Sequence, residues 1–224
     1  MKKIAVIVAG GTGTRMGADI PKQFLLLHEQ PILHHAISAF TNAFTDIAIV
    51  VVLPAPYLSE GKKIAEQFNT HTVTCIEGGS TRFYSVKNGL TLVPPHSIVF
   101  VHDAVRCLLT KELIYACYNQ ALVKGSAIPA VVATDSIRVI NGNSSRTADR
   151  NNIRLIQTPQ TFRSELLLEA FSQVYQDIFT DEATVVEALG KEVFLIEGDY
   201  NNIKITRPLD LVLAEKILES KKNT

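Results

Sequence analysis

The segment IAVIVAGGTGTRMGADIPKQF, residues 4–24, sets an unbroken apolar run against a glycine-rich turn, and that junction decides the fold. Apolar side chains on every residue of Ile4–Ala9, instead of on alternate ones, mark a strand covered on both faces. The run is too short for the core of a secretory leader or for a membrane span, and glycines follow at once. Outward from it the chain alternates. Further strands are expected at Ile47–Leu53, Val73–Ile76, Ile98–His102, Ala127–Val132 and Val193–Ile196. Helical patterns lie at Ile32–Phe44, Tyr57–Phe68, Thr81–Leu92, Lys111–Val123, Ser164–Tyr175 and Leu209–Leu218. This alternation predicts an α/β domain, a Rossmann-like, mostly parallel sheet with helices on both faces.

One stretch breaks the pattern. Asp135–Ile140, the turn Asn141-Gly142-Asn143, a polar return and Ile153–Gln157 read as an inserted β-hairpin arm at about 135–157. The Asn141-Gly142 pair is a turn signal, with positive φ expected at both central positions. Spacing leaves open whether the arm packs on a second subunit or is a local ribbon. There is no repeat, low-complexity run or linker, so residues 1–224 read as a single domain.

Lys+Arg and Asp+Glu balance at 22 each, so no overall field draws in nucleic acid or an anionic membrane, and the chain has no Trp. Cations that bind phosphate must therefore be concentrated locally. Cys75, Cys107 and Cys117 lack CxxC spacing and sit in apolar runs, which fits buried thiols in a reducing, cytoplasmic setting.

In open α/β sheets ligands bind beyond the carboxyl ends of the strands. The turn after Ile4–Ala9 lacks the Gly-Lys-Ser/Thr ending of a P-loop. It also has Met16 where a dinucleotide fingerprint needs its third glycine. What remains is a backbone able to approach an anion closely at Gly10, Gly11 and Gly13, flanked by the cations Arg15 and Lys22. A glycine-rich turn alone is often only a turn; the flanking cations point to phosphate. Asp103, after the strand ending at His102, has the position of a Mg²⁺ ligand or, more plainly, of a helix N-cap. His102 reads as a packed or hydrogen-bonded histidine. Lys204, between Ile203 and Ile205, is compatible with an ordinary lysine on a short edge strand.

Here the chain resembles a known family. AGGTGTRM followed by PKQF looks like the nucleotidyltransferase signature in its sugar-phosphate cytidylyltransferase form. GGSTRFYSVKNGL at 78–90, VHDAVR at 101–106, DR at 149–150, QTPQTF at 157–162, TDEATVVEALG at 180–190 and NNIKITRPLDL at 201–211 follow in that family's order. The set is most similar to the branch acting on 2-C-methyl-D-erythritol 4-phosphate in non-mevalonate isoprenoid precursor synthesis. The ribitol-5-phosphate branch shares several blocks. The resemblance implies transfer of CMP from CTP to a small sugar-alcohol phosphate, with Mg²⁺ on Asp103. It implies catalytic roles for Arg15, Lys22 and Lys204, and nucleotide contacts from Ala9, Gly10, Gly11, Gly13, Gly79, Ser80, Ser85, Asp103 and Ala104. Arg106, Ser136, Arg150, Thr158 and Thr180 fall on acceptor positions, with Arg150 reaching across a homodimer from the arm. Two departures stand out: Ser80 replaces a frequent acidic residue, and Cys107 replaces a usual Pro. An exposed Cys107 beside Arg106 would be sensitive to oxidants, because a cation lowers a thiol pKa.

No general base is needed for this chemistry. A phosphate monoester has a second pKa near ~6 and is already mostly dianionic at neutral pH. Positioning and cancellation of negative charge are what the protein must supply. A catalytically silent nucleotide-binding protein is the alternative from another class. A nucleotide-sugar glycosyltransferase would carry an Asp-x-Asp motif, and none follows a strand here.

Overall fold

The structure is a computed structural model that describes residues 1–10 and 20–222. Gly11, Gly13 and Arg15 therefore lie outside the described residues.

The expected alternation forms. The strands are β1 (Lys2–Val8), β2 (Leu26–Leu27), β3 (Gln30–Pro31), β4 (Ile47–Leu53), β5 (Thr72–Glu77), β6 (Ser97–Asp103), β7 (Ser126–Val132), β8 (Ile137–Asn141), β9 (Ser144–Ala148), β10 (Arg154–Ile156), β11 (Gln160–Arg163) and β12 (Leu195–Glu197). The helices are α1 (Ile32–Ala43), α2 (Leu58–Ala65), α3 (Arg82–Leu90), α4 (Lys111–Lys124), α5 (Ser164–Ala170), α6 (Glu182–Ala188) and α7 (Pro208–Lys222). The main sheet runs β10-β7-β11-β6-β1-β4-β5, with β12 also paired to β7. Its centre is parallel, β6 and β4 flanking β1 and β5 flanking β4.

The continuous apolar runs are explained by two separate cores. Because side chains alternate along a strand, Ala5, Ile7, Ile49, Val51, Ile98 and Phe100 meet Leu33, Ile37 and Phe40 of α1 and Ile114 and Cys117 of α4. Ile4, Val6, Val50, Val52, Val99 and Val101 face the other way, onto Phe83 and Val86 of α3, Leu167 of α5 and Val185 of α6. A third cluster, including Val105, Cys107, Ile205 and Ala214, packs α7 against the loops beyond the carboxyl end of β6. Among the described residues no helix is long and apolar enough to cross a membrane.

Several sequence expectations are corrected. The sequence pattern shows no strand at Gln160–Arg163, yet β11 runs antiparallel between β6 and β7, so the sheet is mixed. The hairpin arm is shorter than expected: β9, not Ile153–Gln157, is the strand returning against β8. Arg154–Ile156 instead joins the main sheet as β10, antiparallel to β7. The arm's turn is centred on Gly142 and Asn143, and only Gly142 has positive φ, 58°, as a turn with glycine at its first central position requires. Arg150 lies not on an arm strand but in the single helical turn Arg150–Asn152 at the arm's root. The helix expected to reach Tyr175 stops at Ala170, and no strand forms at Lys204.

Candidate active site

The parallel register of β1 and β6 places Val8 opposite Asp103, and both strands end at one cavity of about 380 Å³. Past the strand ends the chain is still tied together. Ala9 N donates to Val52 O at 2.9 Å and Ala104 N to Val8 O at 3.0 Å. Ala9 and Gly10 form one wall, and Gln23 anchors it by donating from Nε2 to Ala9 O at 2.8 Å. That bond holds the short helical turn Lys22–Phe24, which brings Lys22 to the cavity. Lys22 Nζ donates to Ile205 O at 3.2 Å.

The opposite wall is the Gly79–Arg82 loop and the start of α3. Thr81 caps α3 by accepting from Tyr84 N at 3.3 Å. Ser85 donates to Thr81 O at 2.9 Å and accepts from Gly79 N at 3.1 Å, so its hydroxyl folds the loop back on the helix. A side chain on Gly79 would have its Cβ 2.3 Å from that of Tyr84. Only glycine permits this close approach.

Four charges run in sequence from the interior to the cavity. Glu182, at the start of α6 and 0% exposed, accepts from Arg82 Nη1 and, at 3.1 Å, from Nη2. Arg82 Nη2 and Nε also donate to Asp103 Oδ1, at 3.2 and 3.4 Å. Asp103 Oδ2 lies 2.8 Å from Lys204 Nζ. Burial pushes the Asp103 carboxyl up, but Arg82 and then Lys204 outweigh it and hold the group well below the usual carboxylate range. Burial likewise works against the charged Arg82, and the facing carboxylates of Glu182 and Asp103 more than offset it. Glu182 itself is pushed up by burial, against the pull of Arg82.

Lys204 gains its direction from its neighbours. Ile205 is fully buried and its N–H donates to Val105 O at 2.9 Å; Ile203 packs on the same cluster. Lys204, between these two anchored residues, lines the cavity.

His102 is also fully buried. Nε2 is 3.1 Å from Arg106 O, which can only accept, so Nε2 carries the proton. Nδ1 then accepts from Thr158 Oγ1 at 3.0 Å, and that oxygen accepts from Asp103 N at 3.1 Å. The chain of bonds needs a neutral imidazole, and burial pushes its pKa down to about 4. Above the ordinary value of 6.5 both folded and unfolded chains carry it neutral. As pH falls from there towards 4, the unfolded chain takes up a proton that the folded one refuses, so stability is lost. The loss should reach roughly 3 kcal/mol. Urea unfolding at pH 7.5 and pH 5 tests this: His102→Gln should flatten the pH dependence, and an unchanged slope in that variant would refute the assignment.

The comparisons with known proteins give the chain a family. The family model for 2-C-methyl-D-erythritol 4-phosphate cytidylyltransferase matches residues 3–220. The chain belongs to this family. The cytidylyltransferase of that name from Porphyromonas gingivalis is 45% identical over 223 residues, covering 98% of this chain and 99% of its own. That from Phocaeicola vulgatus is 43% identical over 221 residues, covering 97% and 100%. Among solved structures, a 4-diphosphocytidyl-2C-methyl-D-erythritol synthase superposes with a TM-score of 0.81 at 30% identity, covering 97% of this chain and 98% of the other. The Thermus thermophilus cytidylyltransferase gives a TM-score of 0.77 at 30% identity, covering 96% and 98%. The matched family and these relatives carry the name of the methylerythritol-phosphate branch.

Of the residues that resemblance to the cytidylyltransferases implied, Ala9, Gly10, Lys22, Gly79, Ser80, Ser85, Asp103 and Lys204 share the one cavity. Ala104 and Thr158 are buried behind Asp103. Arg106 sits beside them, donating to Asn202 O at 2.8 Å and Ile156 O at 3.3 Å. Ser136, Arg150 and Thr180 are exposed and off the cavity wall. Arg150 spans the arm's root, donating to Thr134 O at 2.8 Å. Gln23, Arg82 and Glu182 carry no role in the sequence reading. Cys107 is a buried thiol, as its apolar run suggested: it is 5% exposed and burial pushes its thiol up to about 12, against the alternative of an exposed, oxidant-sensitive cysteine. All three cysteines are unpaired, as expected.

Proposed function

We propose that the chain transfers CMP from CTP to 2-C-methyl-D-erythritol 4-phosphate, releasing pyrophosphate, in isoprenoid precursor synthesis in the cytoplasm. The ion pair of Lys204 with Asp103 at the mouth of a glycine-walled cavity supports this reading above all. An acceptor phosphate oxygen attacks the α-phosphorus in line while Lys22, Lys204 and Arg15 cancel the crowded negative charge. Ala9, Gly10 and Gly79 let the nucleotide approach the backbone closely.

Among the described residues no three His, Cys, Asp or Glu side chains cluster as a metal cage. A lone ionised carboxylate at the rim fits Mg²⁺, which takes few protein ligands and completes its shell from phosphates and water. Asp103 would hold it, and the ion would supply further neutralisation of the phosphates. Arg106, Thr158, Ser136, Thr180 and, from a second subunit, Arg150 form the acceptor side of this reading. The arm is a two-stranded ribbon exposing Val139 and Ile140 at 41% and 70%. Such a ribbon is marginal alone and gains stability by packing on a second copy, which favours a homodimer.

Pyrophosphate release from CTP and Mg²⁺, with methylerythritol 4-phosphate and ribitol 5-phosphate side by side, tests the reading. Release with the first acceptor alone is the expected result. Release with the second alone, or CTP binding without release from either, would overturn it.

A further inference from the structure

We propose that Glu182 and Arg82 are a positioning pair for the transfer, with Glu182 acting at a distance by fixing how Arg82 presents Asp103 to the cavity. The inference rests on the functional reading above. Glu182 does not line the cavity, and both of its oxygens accept from Arg82. A carboxylate 0% exposed is costly unless paired. Its place is also fixed from outside the pair. Gln160 of β11 donates to Asp181 Oδ2 at 2.8 Å and accepts from Ala183 N at 2.8 Å. Gln160 in turn pairs with Val101 of β6, so the start of α6 is registered to the strand that ends in Asp103.

Arg82 links the two carboxylates through one planar fork, which lysine cannot reproduce. It engages Oδ1 of Asp103 and leaves Oδ2 to Lys204. With Glu182 ionised the four side chains sum to zero. Neutralising Glu182 leaves Arg82 a single carboxylate partner and adds one positive charge beside the carboxylate that would hold the metal. Turnover should suffer more than nucleotide binding, since Glu182 does not line the cavity and both of its oxygens are taken up by Arg82.

The test is steady-state kinetics of wild type, Glu182→Gln, Arg82→Gln and the double variant, with CTP binding measured separately by equilibrium dialysis without metal. Glu182→Gln should lower kcat by about 10–100-fold, as for groups that orient a ligand residue. The KM for CTP and the metal-free affinity should stay within about threefold. Added to Arg82→Gln, the same change should alter kcat by less than about twofold, because the route through Arg82 is already cut. Arg82→Gln alone strands the buried Glu182 carboxylate; where it folds poorly the double variant, which leaves no buried charge unpaired, takes its place, and full turnover there would overturn the proposal. Full turnover in Glu182→Gln or in Arg82→Gln, multiplicative losses in the double variant, or CTP affinity falling in step with kcat would overturn the proposal. Wild-type turnover reports on the functional reading by itself, whereas these variant-to-wild-type ratios report on the pair.

Discussion

Lys204→Ala is expected to lower kcat by about 10²–10³-fold, the scale for removing one electrostatic stabiliser from a transition state. Its effect on stability should be small. The Lys204 side chain is 43% exposed, and half-exposed ion pairs contribute about 1 kcal/mol or less. The same geometry explains how the residue can serve. Its ammonium rests on Asp103 Oδ2 at 2.8 Å; once triphosphate binds, stronger anions lie within reach of a long, flexible side chain. Ile203 and Ile205 anchor the backbone on either side, so the variant keeps the loop. Turnover at saturating CTP and acceptor, alongside urea unfolding, checks both halves. A rate within a few-fold of wild type would remove Lys204 from the charge-cancelling set, and loss of folding would assign it a structural part instead.

The sheet is legible in the sequence because its central strands are covered on both faces. Ile47–Leu53 is a strand with the bounds read from sequence, and β6 differs from its reading by a residue at each end. β11 is not legible: Gln160, Thr161 and Arg163 look like loop residues, and the burial of Gln160 follows from bonds to α6 that no local pattern reveals. The arm's second strand misleads for the opposite reason. Ile153–Gln157 has the apolar content of a strand but spends it on β7, while the polar Ser144–Ala148 pairs locally with β8. In the site, Asp103 and Lys22 are legible because they follow strand ends or the glycine-rich turn. Arg82 and Glu182 are not, being 100 positions apart. A glutamate near a helix start reads as a solvated capping residue until tertiary packing buries it. Lys204 lies between: its alternation with Ile203 and Ile205 is visible, but which side faces the cavity is not.

Asp103→Asn should be the most damaging single change of similar shape. It removes the one negative charge standing between Arg82 and Lys204, so the two cations face a neutral amide. Arg82 keeps Glu182, which limits the loss of stability to about 2–3 kcal/mol, below the 3–5 of a fully broken buried pair. Turnover should fall by about 10²–10³-fold or more, since the proposed metal position and the resting place of Lys204 vanish together. Raising MgCl₂ should not restore it. Metal-free affinity for CTP should move the other way, because the cavity gains one positive charge towards a polyanion. That opposition separates the electrostatic role from damage to the fold: a misfolded site would lose binding and turnover alike. A folded Asp103→Asn enzyme that turns over within about twofold of wild type would show that the carboxylate only neutralises Arg82, and would move the metal to another group.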